Sequence, residues 1–351
     1  MEKVLIAMSG GVDSSVAAWL MQKAGFHCAG ATLRLCDASL LGAEQNTDDA
    51  KNIASGLGME FYVLDHTADF RSHVLEPFIR CYEEGGTPNP CVNCNQHLKF
   101  GILLEKALEM GFDYIATGHY ARIVKDENTG RYLLYRADDE NKDQTYFLSC
   151  LTQHQLAHTK FPLSELTKEQ VRQIAQEQGY ANAKKRDSQD ICFIPDGDYV
   201  AFMKRYTGKE YPQGNYLDLQ GNIVGNHSGA VSYTIGQRKG LGIALGEPVY
   251  VCQKDMANNT VTVGPNEALF HKSLLAKDWN WIPFPTLNAP IRVTAKVRYR
   301  HTPQPATVYP EENGFARVEF DQPQRAITPG QTVVLYDGDM VVGGGTIAQT
   351  L

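Results

Sequence analysis

The sequence lacks three features, each of which would define a class of protein. It has no apolar run of about 18 residues, so we expect no membrane-spanning helix. Its eight cysteines among 351 residues are too sparse for a disulfide scaffold. The apolar stretch after Met1 is too short for a secretory signal and predicts a buried strand instead. We therefore expect a soluble globular protein of the cytoplasm, where thiols stay reduced.

The chain also has no excess of basic residues. It contains 33 Lys and Arg against 40 Asp and Glu, which gives a formal net charge of −7. Because proteins that wrap nucleic acid normally have a basic surface, this balance argues mildly against such a role. A local basic face remains compatible with it. The basic stretch at residues 296–301 predicts either phosphate contacts or an ordinary exposed strand.

Strand-like and helix-like patterns alternate through the first 198 residues. Short apolar runs predict strands at 3–7, 28–35, 61–64 and 114–117. Helical spacing predicts helices at 12–22, 48–57, 70–82 and 100–110. This alternation indicates an α/β domain with a parallel sheet, in which ligands bind beyond the carboxyl ends of the strands.

The pattern changes at about residue 199, where helical periodicity fades. Strand-like runs at 291–298, 307–309, 316–320, 332–336 and 340–347 predict a small β-barrel or sandwich. The intervening residues are predicted as a small central domain whose fold the pattern does not define. We thus expect three domains, at residues 1–198, 199–270 and 271–351.

A glycine-rich segment separates the first predicted strand from the first predicted helix, and residues 9–15 read SGGVDSS. A helix N-terminus offers free N–H groups and a positive dipole end, and Gly10 and Gly11 permit close approach of a phosphate. Asp13 fits as a helix cap or as an indirect partner of Mg²⁺. The alternative is a tight capped turn without a ligand. The full string resembles the pyrophosphate loop of the N-type ATP pyrophosphatases, and no Walker A motif occurs in the chain.

Two cysteines stand out by their surroundings. Cys94 forms a C-x-x-C pair with Cys91 after two prolines, a pattern also found in zinc half-sites and redox pairs. No second C-x-x-C exists, so a closed zinc site is the weaker alternative. We expect Cys94 near the N-terminus of the following helix, where the dipole would lower the pKa of its thiol. Cys192 is far away in the sequence, so any pairing with Cys94 must be tertiary. Packing explains the remaining cysteines, which lie in or beside apolar stretches: Cys28, Cys36, Cys81, Cys150 and Cys252.

Six segments together resemble the tRNA-specific 2-thiouridylase family over nearly the whole chain. They are the glycine-rich loop, TPNPCVNCN (87–95), ATGHY (116–120), DQTYFL (143–148), SQDICF (188–193) and YTIGQRKGLG (233–242). The resemblance implies ATP-dependent thiolation of the wobble uridine of tRNA, by adenylation of the C2 oxygen and sulfur transfer from a cysteine persulfide. It also implies a nucleotide-binding α/β domain, a small central domain and a C-terminal β-barrel.

The same resemblance implies roles for particular residues. Cys192 would carry a persulfide delivered by a sulfur-carrier protein, and Cys94 would be the second thiol, the two ending as a disulfide. The residues implied to bind ATP, with Mg²⁺, are Ala7, Met8, Ser9, Gly10, Gly11, Val12, Asp13, Ser14, Leu33 and Gly118. The residues implied to contact tRNA are Asn89, Pro90, Cys91, His119, Asp143, Gln144, Thr145, Tyr299, Arg300 and Gln331. Whether the persulfide attacks C2 directly or first releases hydrosulfide stays open.

One position departs from the family pattern. Many members have Asp where this chain has Cys91, and that Asp is given an acid–base role, which a thiol of much higher pKa does not reproduce. Two further hypotheses compete with thiolation: an N-type ATP pyrophosphatase acting on a small molecule, and a zinc-stabilised RNA-binding module without catalysis. The glycine-rich segment at 236–242 is interpreted either as a tRNA backbone contact or as a rigid turn.

Overall fold

A computed structural model describes residues 1–36, 47–183, 185 and 191–351 of the chain. Part of the SQDICF motif, residues 188–190, lies outside these described residues. No helix in the described ranges is both long and apolar enough to cross a membrane.

Five parallel strands form the sheet of the N-terminal domain, in the order β3-β2-β1-β4-β7. The strands of this domain are β1 (Lys3–Ala7), β2 (His27–Arg34), β3 (Phe61–Asp65), β4 (Tyr114–Ala116), β5 (Arg122–Lys125), β6 (Tyr132–Tyr135) and β7 (Thr159–Lys160). The predicted parallel sheet is therefore confirmed. Because the chain proceeds outward from β1 to β3 and then returns to the other side of β1, the switch point lies between β1 and β4.

Helices cover this sheet, and two of them contain a π-helical segment. They are α1 (Val12–Lys23), α2 (Asp48–Gly56), α3 (Thr67–Phe70, π-helical Arg71–Leu75 and Glu76–Glu83), α4 (Pro90–Asn93, π-helical Cys94–Ile102 and Leu103–Glu109), α5 (Thr145–Leu148), α6 (Gln153–Ala157) and α7 (Lys168–Glu177). The prediction that α4 begins at residue 100 is wrong. It begins ten residues earlier, because Pro90 suits the first helical position, where its missing N–H costs no hydrogen bond.

The hairpin of β5 and β6 was not predicted from the sequence. Its turn is closed by the Asp126 carboxylate, which accepts bonds from Asn128 and Thr129, and by Gly130 with a φ of +71°. The hairpin leaves the parallel sheet and joins the barrel through a pairing of Tyr135 with Met340. The N-terminal domain thus contributes two strands to the C-terminal sheet.

The central residues form a helix and a four-stranded sheet of order β10-β11-β8-β9. These elements are α8 (Tyr199–Thr207), β8 (Gly214–Leu217), β9 (Ile223–His227), β10 (Tyr250–Asp255) and β11 (Thr260–Gly264). The buried ring of Tyr216 packs edge-on against His227 and Tyr233 in the core of this sheet.

The C-terminal residues form a closed barrel, since β12 pairs with both β15 and β17. Its six strands are β12 (Phe270–Trp281), β13 (Ile291–Lys296), β14 (Gln304–Pro310), β15 (Ala316–Arg325), β16 (Thr332–Asp337) and β17 (Met340–Thr350). The barrel is confirmed and the sandwich alternative is wrong. The sequence pattern missed β12, whose burial does not alternate cleanly along its length.

Candidate nucleotide and thiol site

The glycine-rich loop joins β1 to α1, as predicted. Gly11 is the N-cap of α1, and Gly10 has a φ of +72°, a left-handed conformation that favours glycine. The hydroxyls of Ser14 and Ser15 both donate to the Gly11 carbonyl, at 3.1 and 2.9 Å. Because the first N–H groups of a helix have no partner within it, this end of α1 is suited to an anion.

Asp13 lies in the first turn of α1 but makes no capping hydrogen bond, so the expectation that it caps the helix is wrong. The Lys168 ammonium lies 2.7 Å from its Oδ1 and 2.8 Å from its Oδ2, and the Tyr120 hydroxyl donates to Oδ1 at 2.9 Å. Lys168 is buried at the start of α7. This ion pair fixes the loop to α7, and no local motif indicated it because its members are 155 residues apart.

Two further contacts hold the loop from outside. A Cβ added at Gly118 would lie 2.6 Å from the Asp13 carbonyl carbon and 2.7 Å from the Ser14 nitrogen, so the backbone after β4 packs directly on the loop. The buried Asn182 amide donates to the Gly10 carbonyl at 3.1 Å and to the Ser15 hydroxyl at 3.0 Å. Gly118 thus lies against the loop and its contact with ATP stays a prediction, whereas Asn182 carried no sequence signal.

A cavity of about 290 Å³ opens at the switch point between β1 and β4. This is close to the lower end of the range for small-molecule sites, roughly 300–1,000 Å³. Of the residues predicted to bind ATP, those that line it are Ala7, Met8, Ser9, Asp13, Ser14, Leu33 and Gly118. The cavity lining does not include Gly10, Gly11 or Val12. Lining residues to which the sequence assigned no binding role are Ala31, Thr32, Leu35, Lys99 and Thr117.

Two residues predicted to contact tRNA also line this cavity, namely His119 and Gln144. The His119 Nδ1 lies 2.7 Å from the Thr117 hydroxyl, and burial lowers the pKa of the imidazole well below its usual value. His119 is therefore neutral at physiological pH. The Gln144 side-chain oxygen accepts a hydrogen bond from the Tyr120 N–H at 2.9 Å.

The thiols of α4 lie beside the segment that contains Cys192. Phe193 and Ile194 are buried in the hydrophobic cluster that includes Cys94. The Phe193 ring packs edge-on against Phe70 of α3, with 5.6 Å between centroids. Desolvation by the surrounding protein raises the pKa of Cys91, Cys94 and Cys192, most strongly at the buried Cys94, and the three thiols also interact with one another electrostatically. The fold thus brings Cys192 into the neighbourhood of the C-x-x-C pair.

The two predicted sulfur-handling cysteines differ in exposure. Cys192 is exposed, whereas Cys94 is only 8% exposed. Burial raises the pKa of the Cys94 thiol to about 11, and the nearby Lys99 ammonium opposes this in part. The expected lowering of the pKa by a helix dipole is wrong, because α4 begins at Pro90 and places Cys94 at a buried position inside the continuous helix.

This difference predicts an order of alkylation. With iodoacetamide at pH 8 we expect Cys91 and Cys192 to react first and Cys94 to react far more slowly. Since the thiolate is the nucleophile, the rate at Cys94 should rise about tenfold per pH unit until the pH approaches its pKa. Peptide mass spectrometry of timed samples measures this. Equal rates at Cys94 and Cys192 at pH 8 would contradict the burial of Cys94 and the raised pKa of its thiol.

Within the described ranges, no group of three or more His, Cys, Asp or Glu side chains is placed to hold a metal ion. All eight cysteines are free thiols in this structure.

The predicted tRNA contacts near the thiols differ in accessibility. Pro90 is buried and Asn89 half-buried, while Cys91 is exposed beside them. Asp143 and Thr145 are buried and bonded to each other, with the Thr145 hydroxyl 2.7 Å from the Asp143 Oδ2. The Thr145 side chain is therefore fully buried and Asp143 is only 8% exposed, and their contact with tRNA stays a prediction.

The predicted contacts on the barrel also differ from one another. Arg300 is exposed, whereas the half-buried Tyr299 packs against Phe147 at 4.4 Å between centroids. The Gln331 amide donates to the Thr87 carbonyl at 2.8 Å and thus holds the loop before α4. Arg298 is largely bonded within the protein, donating to carbonyl groups of Ile235 and Ala326.

Comparisons with known proteins find matches to three successive parts of the chain. The domain families that match are "tRNA methyl transferase HUP domain" at residues 2–196, "tRNA methyl transferase PRC-barrel domain" at residues 200–265 and "Aminomethyltransferase beta-barrel domain" at residues 271–347. A protein named tRNA-specific 2-thiouridylase MnmA from Clostridioides difficile is 48% identical, over 100% of this chain and 99% of its own. The protein of the same name from Acetivibrio thermocellus is 48% identical, over 99% of both chains.

A glycine-rich loop at the switch point of a parallel sheet, followed by two β domains, defines a nucleotide-binding α/β protein with accessory domains. The 48% sequence identity over the full length of the relatives shows to which family within this class the chain belongs. The chain belongs to the tRNA-specific 2-thiouridylase family.

Proposed function

We propose that this protein is a tRNA-uridine 2-sulfurtransferase, which uses ATP to activate the C2 oxygen of the wobble uridine and a cysteine persulfide to replace it. The observation that carries the proposal is that one helix, α4, bears two of the thiols and also lines the cavity at the switch point. Cys91 and Cys94 lie in its first turns, and Lys99 of the same helix faces the cavity. The activated base and the sulfur donor would therefore meet between the cavity and the first turns of α4.

The cavity at the switch point is the proposed site of ATP. The N-terminus of α1 would bind phosphate oxygens, while Leu33 and Gly118 line the walls of the cavity. Transfer of AMP to the C2 oxygen turns that oxygen into a good leaving group and releases pyrophosphate. Donors aimed at the phosphates stabilise the charge that develops during this transfer.

Mg²⁺ is proposed to arrive with the phosphates of ATP rather than in a protein cage. Protein-bound Mg²⁺ in such sites commonly uses one or two carboxylates plus substrate phosphates and water. Asp13 is the carboxylate that lines the cavity, and its side chain is 31% exposed even though it pairs with Lys168. It is therefore the residue that would hold the ion, directly or through water. The ion would supply charge neutralisation on the phosphates.

The difference in exposure between Cys192 and Cys94 supports separate roles for the two cysteines. Cys192, which is exposed, would accept sulfane sulfur from a sulfur-carrier protein. Its terminal persulfide sulfur would attack C2, forming the C–S bond as the C–O bond to AMP breaks. The Cys94 thiolate would then attack the Cys192 sulfur, which frees 2-thiouridine and leaves a Cys94–Cys192 disulfide. The two electrons that reduce the sulfane sulfur come from the two cysteine thiols, which are oxidised to the disulfide.

The substrate in this proposal is a tRNA whose target base leaves its stack to reach the thiols, as base-modifying chemistry generally requires. Exposed cations that could contact its phosphates are Arg238, Lys239 and Arg300. The relatives named tRNA-specific 2-thiouridylase support this substrate. A tRNA substrate and a persulfide chemistry also favour the cytoplasm.

Reconstitution tests the function. The protein would be incubated with unmodified tRNA, ATP, Mg²⁺ and a persulfide donor, and the nucleosides analysed by mass spectrometry. We expect 2-thiouridine only when all components are present, and pyrophosphate whenever tRNA, ATP and Mg²⁺ are present together. A matched tRNA with cytidine at the wobble position should give neither. Absence of both products with the uridine tRNA would overturn the proposal, as would ATP turnover that needs no tRNA.

A further inference from the structure

Lys99 occupies a position between the nucleotide cavity and the thiols that the established family chemistry does not explain. It is half-buried on α4 and is the lysine that lines the cavity, beside His119 and the residues after β1. In the part of the chain that the structure describes, no carboxylate lies within ion-pair distance of its ammonium. A half-buried cation without a counter-ion, facing a cavity, is suited to an anionic ligand.

The local helix geometry of α4 explains why Lys99 lies near both the cavity and the thiols. Residues 94–102 are π-helical, and the Leu103 N–H donates to the Leu98 carbonyl five residues earlier. In an α-helix, a residue five positions on is rotated by about 140° from the first. In a π-helix, with its i→i+5 hydrogen bonds, that residue lies roughly one turn above the first. The π segment therefore puts Lys99 on the same side of the helix as Cys94.

Electrostatic effects on the thiols agree with this placement. The Lys99 ammonium acts against the desolvation that raises the pKa of Cys91, Cys94 and Cys192. It is therefore close enough to all three to stabilise their anionic forms. The Lys99 charge also contributes to the lowered pKa of His119, which lines the cavity.

We propose that Lys99 is a catalytic residue shared by the two halves of the reaction, binding a phosphate oxygen of the AMP group and stabilising the sulfur anion that displaces it. This assignment rests on the proposed function. Its ammonium would draw the two anions together, although they would otherwise repel each other across the reacting C2 atom. A phosphate and a thiolate are thus brought to one base by a single charge.

The first test needs neither ATP nor tRNA. Iodoacetamide alkylation of Cys94 and Cys192 would be followed against pH in the wild-type protein, Lys99→Gln and Lys99→Arg. We expect Lys99→Gln to react about tenfold more slowly at a fixed pH below the midpoint, and Lys99→Arg to stay near the wild type. Lys106→Gln is the matched control, because Lys106 pairs with Glu109 on the exposed side of the same helix. It should behave as the wild type.

The second test uses tRNA and ATP. Lys99→Gln should lower the kcat for pyrophosphate release and for thiouridine formation by roughly 10- to 100-fold, with partial recovery in Lys99→Arg. If the glutamine variant does not fold, Lys99→Met, which keeps the length without the charge, replaces it. A change in only one of the two tests would overturn the shared role. If the wild-type protein forms no 2-thiouridine, the proposed function fails, while the alkylation result still decides whether Lys99 acts on the thiols.

Discussion

Cys192→Ser is expected to reduce 2-thiouridine formation by on the order of 1,000-fold or more, because serine cannot carry a persulfide. Adenylation should persist, since Cys192 lies outside the cavity in which the phosphates are proposed to bind. Pyrophosphate release measured beside nucleoside mass spectrometry separates the two steps. Cys252→Ser is the matched control, as Cys252 lies on β10 of the central sheet. An active Cys192→Ser variant would contradict the assignment of the sulfur carrier.

Cys94→Ser is expected to distinguish the two routes for sulfur, namely direct attack by the persulfide and prior release of hydrosulfide. If the persulfide attacks C2 directly, loss of Cys94 should leave tRNA joined to Cys192 through a disulfide that dithiothreitol cleaves. If Cys94 first releases hydrosulfide, the variant should accumulate the Cys192 persulfide without a tRNA adduct. Denaturing electrophoresis with and without reductant separates these outcomes. Full activity in Cys94→Ser would contradict both routes.

The parts of the fold that could be predicted from sequence are those with a regular period. Alternating strands and helices indicated the parallel sheet, and short strands with turn residues indicated the barrel. The β5–β6 hairpin was missed because it stands outside the alternation of strands and helices that indicated the parallel sheet, and joins the barrel instead. The start of α4 was missed because two prolines and a glycine pair near residue 88 indicate a loop, although the second proline in fact begins the helix.

The candidate site was predictable where it is local in sequence. The glycine-rich loop and Gly118 each follow a strand, so their meeting at the switch point follows from the parallel sheet. Lys168 and Asn182 were not predictable, because they reach the loop from elements more than 150 residues away. The direction of the pKa shift at Cys94 was wrong for a related reason. A helix dipole is visible in local sequence, whereas burial depends on the segment around Phe193.

Gly118→Ala is expected to lower ATP-dependent pyrophosphate release by about 100-fold, through displacement of the phosphate loop. The added methyl would lie under 3.0 Å from backbone atoms of Asp13 and Ser14, and backbone cannot rotate away as a flexible side chain can. The loop must therefore shift, although its glycines and the Lys168 and Asn182 contacts fix it at the switch point. A misplacement of roughly 1 Å is enough for an effect of this size.

The matched control for this variant is Gly56→Ala, at the end of α2, where a Cβ would meet nothing within 4 Å. It should retain wild-type activity, and its unfolding midpoint should be unchanged or slightly raised because alanine is the better helix former. Thermal unfolding of both variants separates local displacement of the loop from general loss of structure. Persistent alkylation of Cys192 in Gly118→Ala would show that the thiol side of the site is intact. Pyrophosphate release within twofold of the wild type would mean that the loop does not hold the phosphates, because the close contact at Gly118 could then yield without effect on the reaction.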